Sequence, residues 1–332
     1  MKKLFLLAVV MVLSTNVLKA GDKVEYKPEE LKDAAVVAKK YVKANLKLLK
    51  KLNIKKLVIL ECTGEFVTSK EVTDGAFRGR ADYFGNVTQR TRTTTLKFDK
   101  DYYTNITDAV YESVVDLFEQ NGIEIIRKET VIESPTYKEW NLKEEKEGRG
   151  VTAGMFKDTT VTKTQKVSTT GLGIFPGPIK MIGVVGDLGP ITAELGAEGF
   201  LQVHFRVDKT KKFAPALTAF EMLLSTDLRS QKVGFKGKEK LRYDFYTQWQ
   251  NILNLEKAIE SKSNLDSKDP KDFDKQKYNT ELTDMLYGVI GGFDVGLKNA
   301  LPENKPIVRE APAQVMEEAA PAPAEPTPAE TK

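Results

Sequence analysis

The segment Asn105 to Ile126, "NITDAVYESVVDLFEQNGIEII", restricts the fold more than any other. Ile106, Ala109, Val110, Val114, Leu117 and Phe118 recur at steps of three and four, which gives a helix one apolar stripe. Thr104 or Asn105 can cap its start, and Asn121-Gly122 ends it, because glycine enters the left-handed conformation of a helix terminus without steric cost. A strand from Ile123 to Ile126 follows at once. Upstream, "KKLVILECTGEF" places strand formers at Leu57 to Leu60 and stops at Gly64, the pattern of a strand buried on both faces. Strand, long excursion, helix, glycine stop and strand specify α/β organisation: a mixed sheet flanked by helices in one large domain, with α+β as the alternative.

The remaining elements fit this frame. In Phe200 to Val207, Leu201, Val203, Phe205 and Val207 alternate with Gln202, His204 and Arg206, so one face is predicted buried and the other wet. Ala216 to Leu224 and Leu241 to Tyr246 read as further strands of the same sheet, with a charged hairpin at Gly234 to Lys240. Thr88 to Phe98 and Gly148 to Thr170 are threonine-rich and polar, the signature of exposed β insertions. Glu129 to Trp140 reads as a short helix broken at Pro135, and a further short helix precedes Phe200. Pro28 to Leu52 carries Leu31, Ala34, Val37, Tyr41, Ala44, Leu48 and Leu52 on one face and predicts a single long amphipathic helix. Trp249 to Ile259 and Tyr278 to Leu301 are also predicted helical. The second holds Gly288, Gly291, Gly292 and Gly296, a smooth face for close packing or a shared interface.

The termini point to export. Lys2 and Lys3 precede the apolar run Leu4 to Leu13, and Ala20 offers a small residue for cleavage, which is the layout of a secretory signal peptide. Removing Lys2, Lys3 and Lys19 from 51 basic residues leaves 48 against 47 acidic ones, so the mature charge gives no support to nucleic-acid binding. The sole cysteine, Cys62, lies far from the signal, so no lipid anchor is expected. The organisation is therefore 1–20 signal peptide, 21–260 α/β domain, 261–277 charged linker, 278–301 packing helix and 302–332 disordered Ala/Pro/Glu-rich tail. The expected location is the periplasm or an association with the outer membrane.

Residues suited to chemistry are few. One histidine and one cysteine cannot build the usual zinc sets. The aspartates of "SNLDSKDPKDFD" (Asp266, Asp269, Asp272 and Asp274) lack the central glycine of a calcium loop. No G-x-S-x-G elbow is present, Cys62 reads as a buried filler, and His204 falls on the polar face of its strand. Glu61, Glu65 and Asp108 sit at the ends of α/β elements, where paired carboxylates would support a hydrolase.

The stretch "GLGIFPGPIKMIGVVGDLGP" (residues 171–190) concentrates six of the chain's 23 glycines. Pro176 at the third position of a dinucleotide fingerprint, and the absence of a terminal Gly-Lys-Ser/Thr, exclude the phosphate-binding loops. No cofactor is expected. Its apolar residues Leu172, Ile174, Phe175, Ile179, Ile182 and Val184 either pack into the core or form a contact for self-association, an envelope protein partner or a membrane surface.

"KKLVILECTGEF", "TNITDAVYESVVDLFEQNGIEIIRKETVIES" and "GAEGFLQVHFRV" together resemble the envelope α/β domain family of the curli-secretion channel, related periplasmic lipoproteins and the N-terminal domain of the translocation protein TolB. The corresponding pieces are Ile106 to Val110, Arg127 with Val131 to Glu133, and Gly196 to Val203. The chain departs from that pattern at Gly199, where an aspartate would be expected, and in its long polar insertions. The resemblance implies a non-enzymatic binding or assembly role in the cell envelope. The alternatives are a carboxylate-dependent envelope hydrolase and a subunit of a secretion-pore-like assembly.

Overall fold

A computed structural model describes residues 22–74, 80–81, 87–88, 90–154, 157–175, 187–226, 230–233, 240–243, 248–266 and 273–307. The chain forms one large α/β domain with a mixed sheet, flanking helices and extra β insertions. The expected signal segment, and the tail from residue 308, lie outside the described residues.

In chain order the elements are β1 (Lys23–Glu25), α1 (Pro28–Lys32), α2 (Ala34–Lys40), β2 (Val42–Ala44), α3 (Lys47–Leu52), β3 (Lys56–Thr73), β4 (Arg80–Ala81), β5 (Val87–Thr88) and β6 (Thr91–Thr95). Next come α4 (Lys100–Gln120), β7 (Glu124–Ile126), α5 (Lys128–Glu133), α6 (Pro135–Glu139), β8 (Glu145–Gly154), β9 (Lys157–Ser168) and α7 (Leu188–Glu194). The last are β10 (Gly199–Lys209), β11 (Pro215–Thr226), β12 (Ser230–Val233), β13 (Lys240–Tyr243), β14 (Gln248–Leu255), β15 (Ala258–Glu260) and α8 (Lys275–Ala300).

The main sheet runs β1-β15-β11-β10-β3-β9-β8, with β14 and β2 joined beside β11, and β6 and β7 beside β3. β10 and β7 pair parallel with β3, β1 pairs parallel with β15, and the remaining pairings are antiparallel. Because β11 runs antiparallel to both β10 and β15, the strands β1, β15, β10 and β3 all point the same way. Their C-terminal ends therefore share one edge of the fold.

Helix α4 ends where the sequence places its stop: Gly122 has φ +72° and its N–H donates to the Glu119 carbonyl. It begins at Lys100, ahead of the expected caps, because Tyr103 is buried and its hydroxyl accepts from the Phe98 N–H. One sheet face packs Phe66 against Phe205 edge to face at 5.8 Å, and Phe118 of α4 meets Phe293 of α8 at 6.3 Å. The glycine face of α8 serves close packing within the domain. A Cβ at Gly292 would stand 2.7 Å from Val37 Cγ1, and one at Gly288 would stand 3.1 Å from the Leu31 carbonyl oxygen. α8 thereby seats on α1 and α2 at backbone distance.

Three expectations change. Pro28 to Leu52 is not one helix: the Asp33 carboxylate accepts from the Ala35 and Val36 N–H groups and restarts the chain as α2. Val42 to Ala44 then leaves to pair with β14. Trp249 to Ile259 is strand, not helix, since β14 lies between β11 and β2 and its backbone groups are satisfied by pairing. A short apolar run such as Ile252–Leu253 carries no period that would separate the two readings. β13 pairs with β12 in a separate two-stranded ribbon and does not extend the main sheet.

Candidate functional site

The polar face of β3 and β10 is a ladder of partnered groups. Parallel register sets Gln202 beside Glu61, His204 beside Thr63 and Arg206 beside Glu65. Buried Glu61 accepts from Lys166 Nζ at 3.2 Å, Gln202 Nε2 at 2.9 Å and the Phe175 N–H at 3.1 Å. Glu65 pairs with Arg206 at 3.3 Å. His204 is therefore not on a wet face: its side chain is 19% exposed and Nδ1 lies 3.0 Å from the Thr63 hydroxyl. Its Nε2 is buried without a hydrogen bond, and the Glu65 carboxylate stands 3.9 Å away. Burial, helped by the nearby Lys166 and Arg206 charges, holds the imidazole neutral with its pKa lowered to about 3.

Asp108 of α4 accepts from the Thr169 and Thr170 hydroxyls and the Thr170 N–H, with Lys128 at 3.7 Å. Burial opposes its ionisation, but these donors and Lys128 outweigh burial and hold the carboxyl below its usual range. Cys62 is fully buried, which pushes its thiol far up. Glu61, Glu65 and Asp108 thus each serve an internal partner. Among the described residues no cluster of three metal-ligating side chains occurs.

Of the apolar residues in the glycine-rich stretch, Leu172, Ile174 and Phe175 are buried. The Gly173 N–H donates to the Tyr137 hydroxyl at 2.8 Å. Trp140 meets Phe175 edge to face at 5.7 Å and donates from Nε1 to Asp187, joining the two described ends of the stretch. Ile179, Ile182 and Val184 lie outside the described residues.

A concave feature lies elsewhere among the described residues. A cleft of about 780 Å³ opens at the shared C-terminal ends of β1, β15, β10 and β3. This is where ligands bind in open α/β sheets, because strand ends and their following loops diverge there. Among the described residues its lining carries seven cationic side chains and four carboxylates. Lys23 pairs with Glu260, Lys262 with Glu25, and Arg92 with Asp74 across the cleft walls. Lys70 pairs with Asp208 at 3.3 Å. Lys211 and Lys212 make no ion pair among the described residues and supply uncompensated positive charge at the mouth.

Lys209 is the residue that sequence reasoning missed. It continues the inward phase of Leu201, Val203, Phe205 and Val207 and is 5% exposed. Its Nζ donates to the Thr68 carbonyl at 2.7 Å, and among the described residues it makes no ion pair. Asp208, its neighbour, is held by Lys70 and by the Lys209 backbone N–H. Burial, with Lys70 nearby and only Asp208 opposing, lowers the ammonium pKa to about 8. The signal for it lay in the alternation, which the sequence pattern carries two residues past Val207.

No protein-family model, no curated protein and no solved structure matches this chain.

Proposed function

We propose that the chain is an exported, non-catalytic binding protein of the cell envelope that holds an anionic small molecule in the cleft at the strand ends. The observation that carries the reading is the excess of cations over carboxylates around a concave site built by four co-directed strands. Lysines supply this charge as flexible point cations, which suits carboxylate or phosphate groups without fixing a planar fork. Export rests on the signal-like start of the sequence, and the binding role agrees with the internal engagement of Glu61, Glu65 and Asp108.

Calorimetric titration of the purified chain with citrate and with inorganic phosphate tests the site. Binding is expected to weaken steeply with added salt, since exposed charges are screened over roughly 8 Å at physiological ionic strength. The absence of heat with either anion at low salt would remove the reading. Fractionation with salt and carbonate washes tests the location, and recovery in the cytoplasm would overturn export.

A further inference from the structure

We infer that Lys209 captures a carbonyl-bearing anion in the cleft as a reversible imine, so that the ligand class is an aldehyde or ketone carrying a carboxylate or phosphate. The inference rests on the anion-binding reading of the cleft and adds the functional group that the ligand must contain.

The geometry argues for it from three sides. First, Lys209 is one of the residues that line the cleft, and it occupies an inward strand position where its side chain is largely withdrawn from bulk water. Second, its hydrogen-bond partner is a backbone carbonyl, to which a neutral amine still donates, although less strongly than an ammonium. The lone pair then remains free. A lysine kept for charge alone would be matched by a carboxylate, and Asp208 is instead engaged by Lys70 and the backbone. Third, the surplus cations Lys211 and Lys212 follow directly in the chain and can hold the ligand's anionic group near the amine. The lowered pKa agrees with this arrangement: at pH 7.5 the neutral fraction of such a lysine exceeds that of an exposed one by about two-hundredfold.

The chemistry balances without a co-reactant. The neutral Nζ attacks the carbonyl carbon, a C–N bond forms, and the oxygen takes up a proton to give a carbinolamine. Loss of that oxygen as water yields the imine. Water returns along the same path to release the ligand unchanged, so the capture is binding and not turnover.

The test uses the full chain with two probes, glyoxylate (aldehyde and carboxylate) and pyridoxal 5′-phosphate (aldehyde and phosphate), each trapped with cyanoborohydride and mapped by peptide mass. Labelling at Lys209 is expected to exceed that at Lys211 or Lys212 by at least about tenfold, and to rise with a midpoint near the lowered lysine pKa of about 8. Excess citrate is expected to suppress it, and Lys209→Arg to abolish it. Label spread over Lys211, Lys212 and Lys70 according to exposure, with Lys209 unmodified, would overturn the inference. Citrate titration in the same samples separates the two readings. Citrate binding without Lys209 labelling sinks the imine alone, and absent citrate binding sinks both.

Discussion

Two charged regions of the sheet behave in opposite ways. On the β3–β10 ladder, Glu61 meets Lys166 of the neighbouring β9 and Glu65 meets Arg206 of β10, so each charge has a partner on an adjacent strand. At the strand end, Lys209 is the last paired residue of β10, Lys211 and Lys212 follow it, and none of the three makes an ion pair among the described residues. The ladder lies in the body of the sheet, where an unpaired charge would cost several kcal/mol and is therefore not left unpaired. The cleft is open to water, which tolerates surplus charge until a ligand arrives. Compensated charge marks structure here, and uncompensated charge marks the site.

The largest effect should come from breaking the ladder. Glu61→Ala leaves the Lys166 ammonium and the buried Phe175 N–H without their acceptor, and is expected to cost about 3 kcal/mol. Urea unfolding measures it, and a loss under about 1 kcal/mol would remove the claim that the ladder is structural.

The next effect is a pH dependence. His204 has its folded pKa depressed, so the unfolded chain binds the proton more readily than the folded one. Stability should be unaffected by this group above the usual histidine pKa and fall as pH drops below it. The fall should reach on the order of 2 kcal/mol by pH 5. Thr63, Glu65, Lys166 and Arg206 surround the ring, and Glu65 works against the trend. Comparing urea midpoints of wild type and His204→Gln between pH 7 and pH 5 isolates the contribution. Parallel curves would show that Glu65 stabilises the imidazolium instead.

The cleft should respond in affinity and not in stability. Lys211→Ala with Lys212→Ala is expected to weaken citrate binding about tenfold, or about 1.4 kcal/mol, and to flatten its salt dependence. The same double variant should move the unfolding free energy by less than about 0.5 kcal/mol, the smallest effect of the set. A double variant that unfolds easily would place these lysines with the ladder and erase the contrast between the regions.

Much of the fold was legible because local patterns decided it. The stripe from Ile106 to Phe118, the Gly122 stop and the alternation from Leu201 to Val207 each report a burial phase that neighbouring residues alone impose. The α/β class followed from their order. The errors fell where two local solutions were close in energy. Pro28 to Leu52 has a helical stripe throughout, but the Asp33 cap and a pairing partner 200 residues away, β14, redirect it. Trp249 to Leu255 has no decisive period, and β11 made it a strand.

The candidate site lay further beyond local reading. Lys23, Lys70, Lys209 and Lys262 are separated by most of the chain, and each looks like an ordinary surface lysine in its own segment. Sequence alone determined which faces of which elements must be buried, because side-chain periodicity is a property of the element itself. Only the tertiary structure decided that four strands run in one direction. Strand pairing is a long-range interaction, and it alone turned scattered lysines into one wall and an inward lysine into a buried amine.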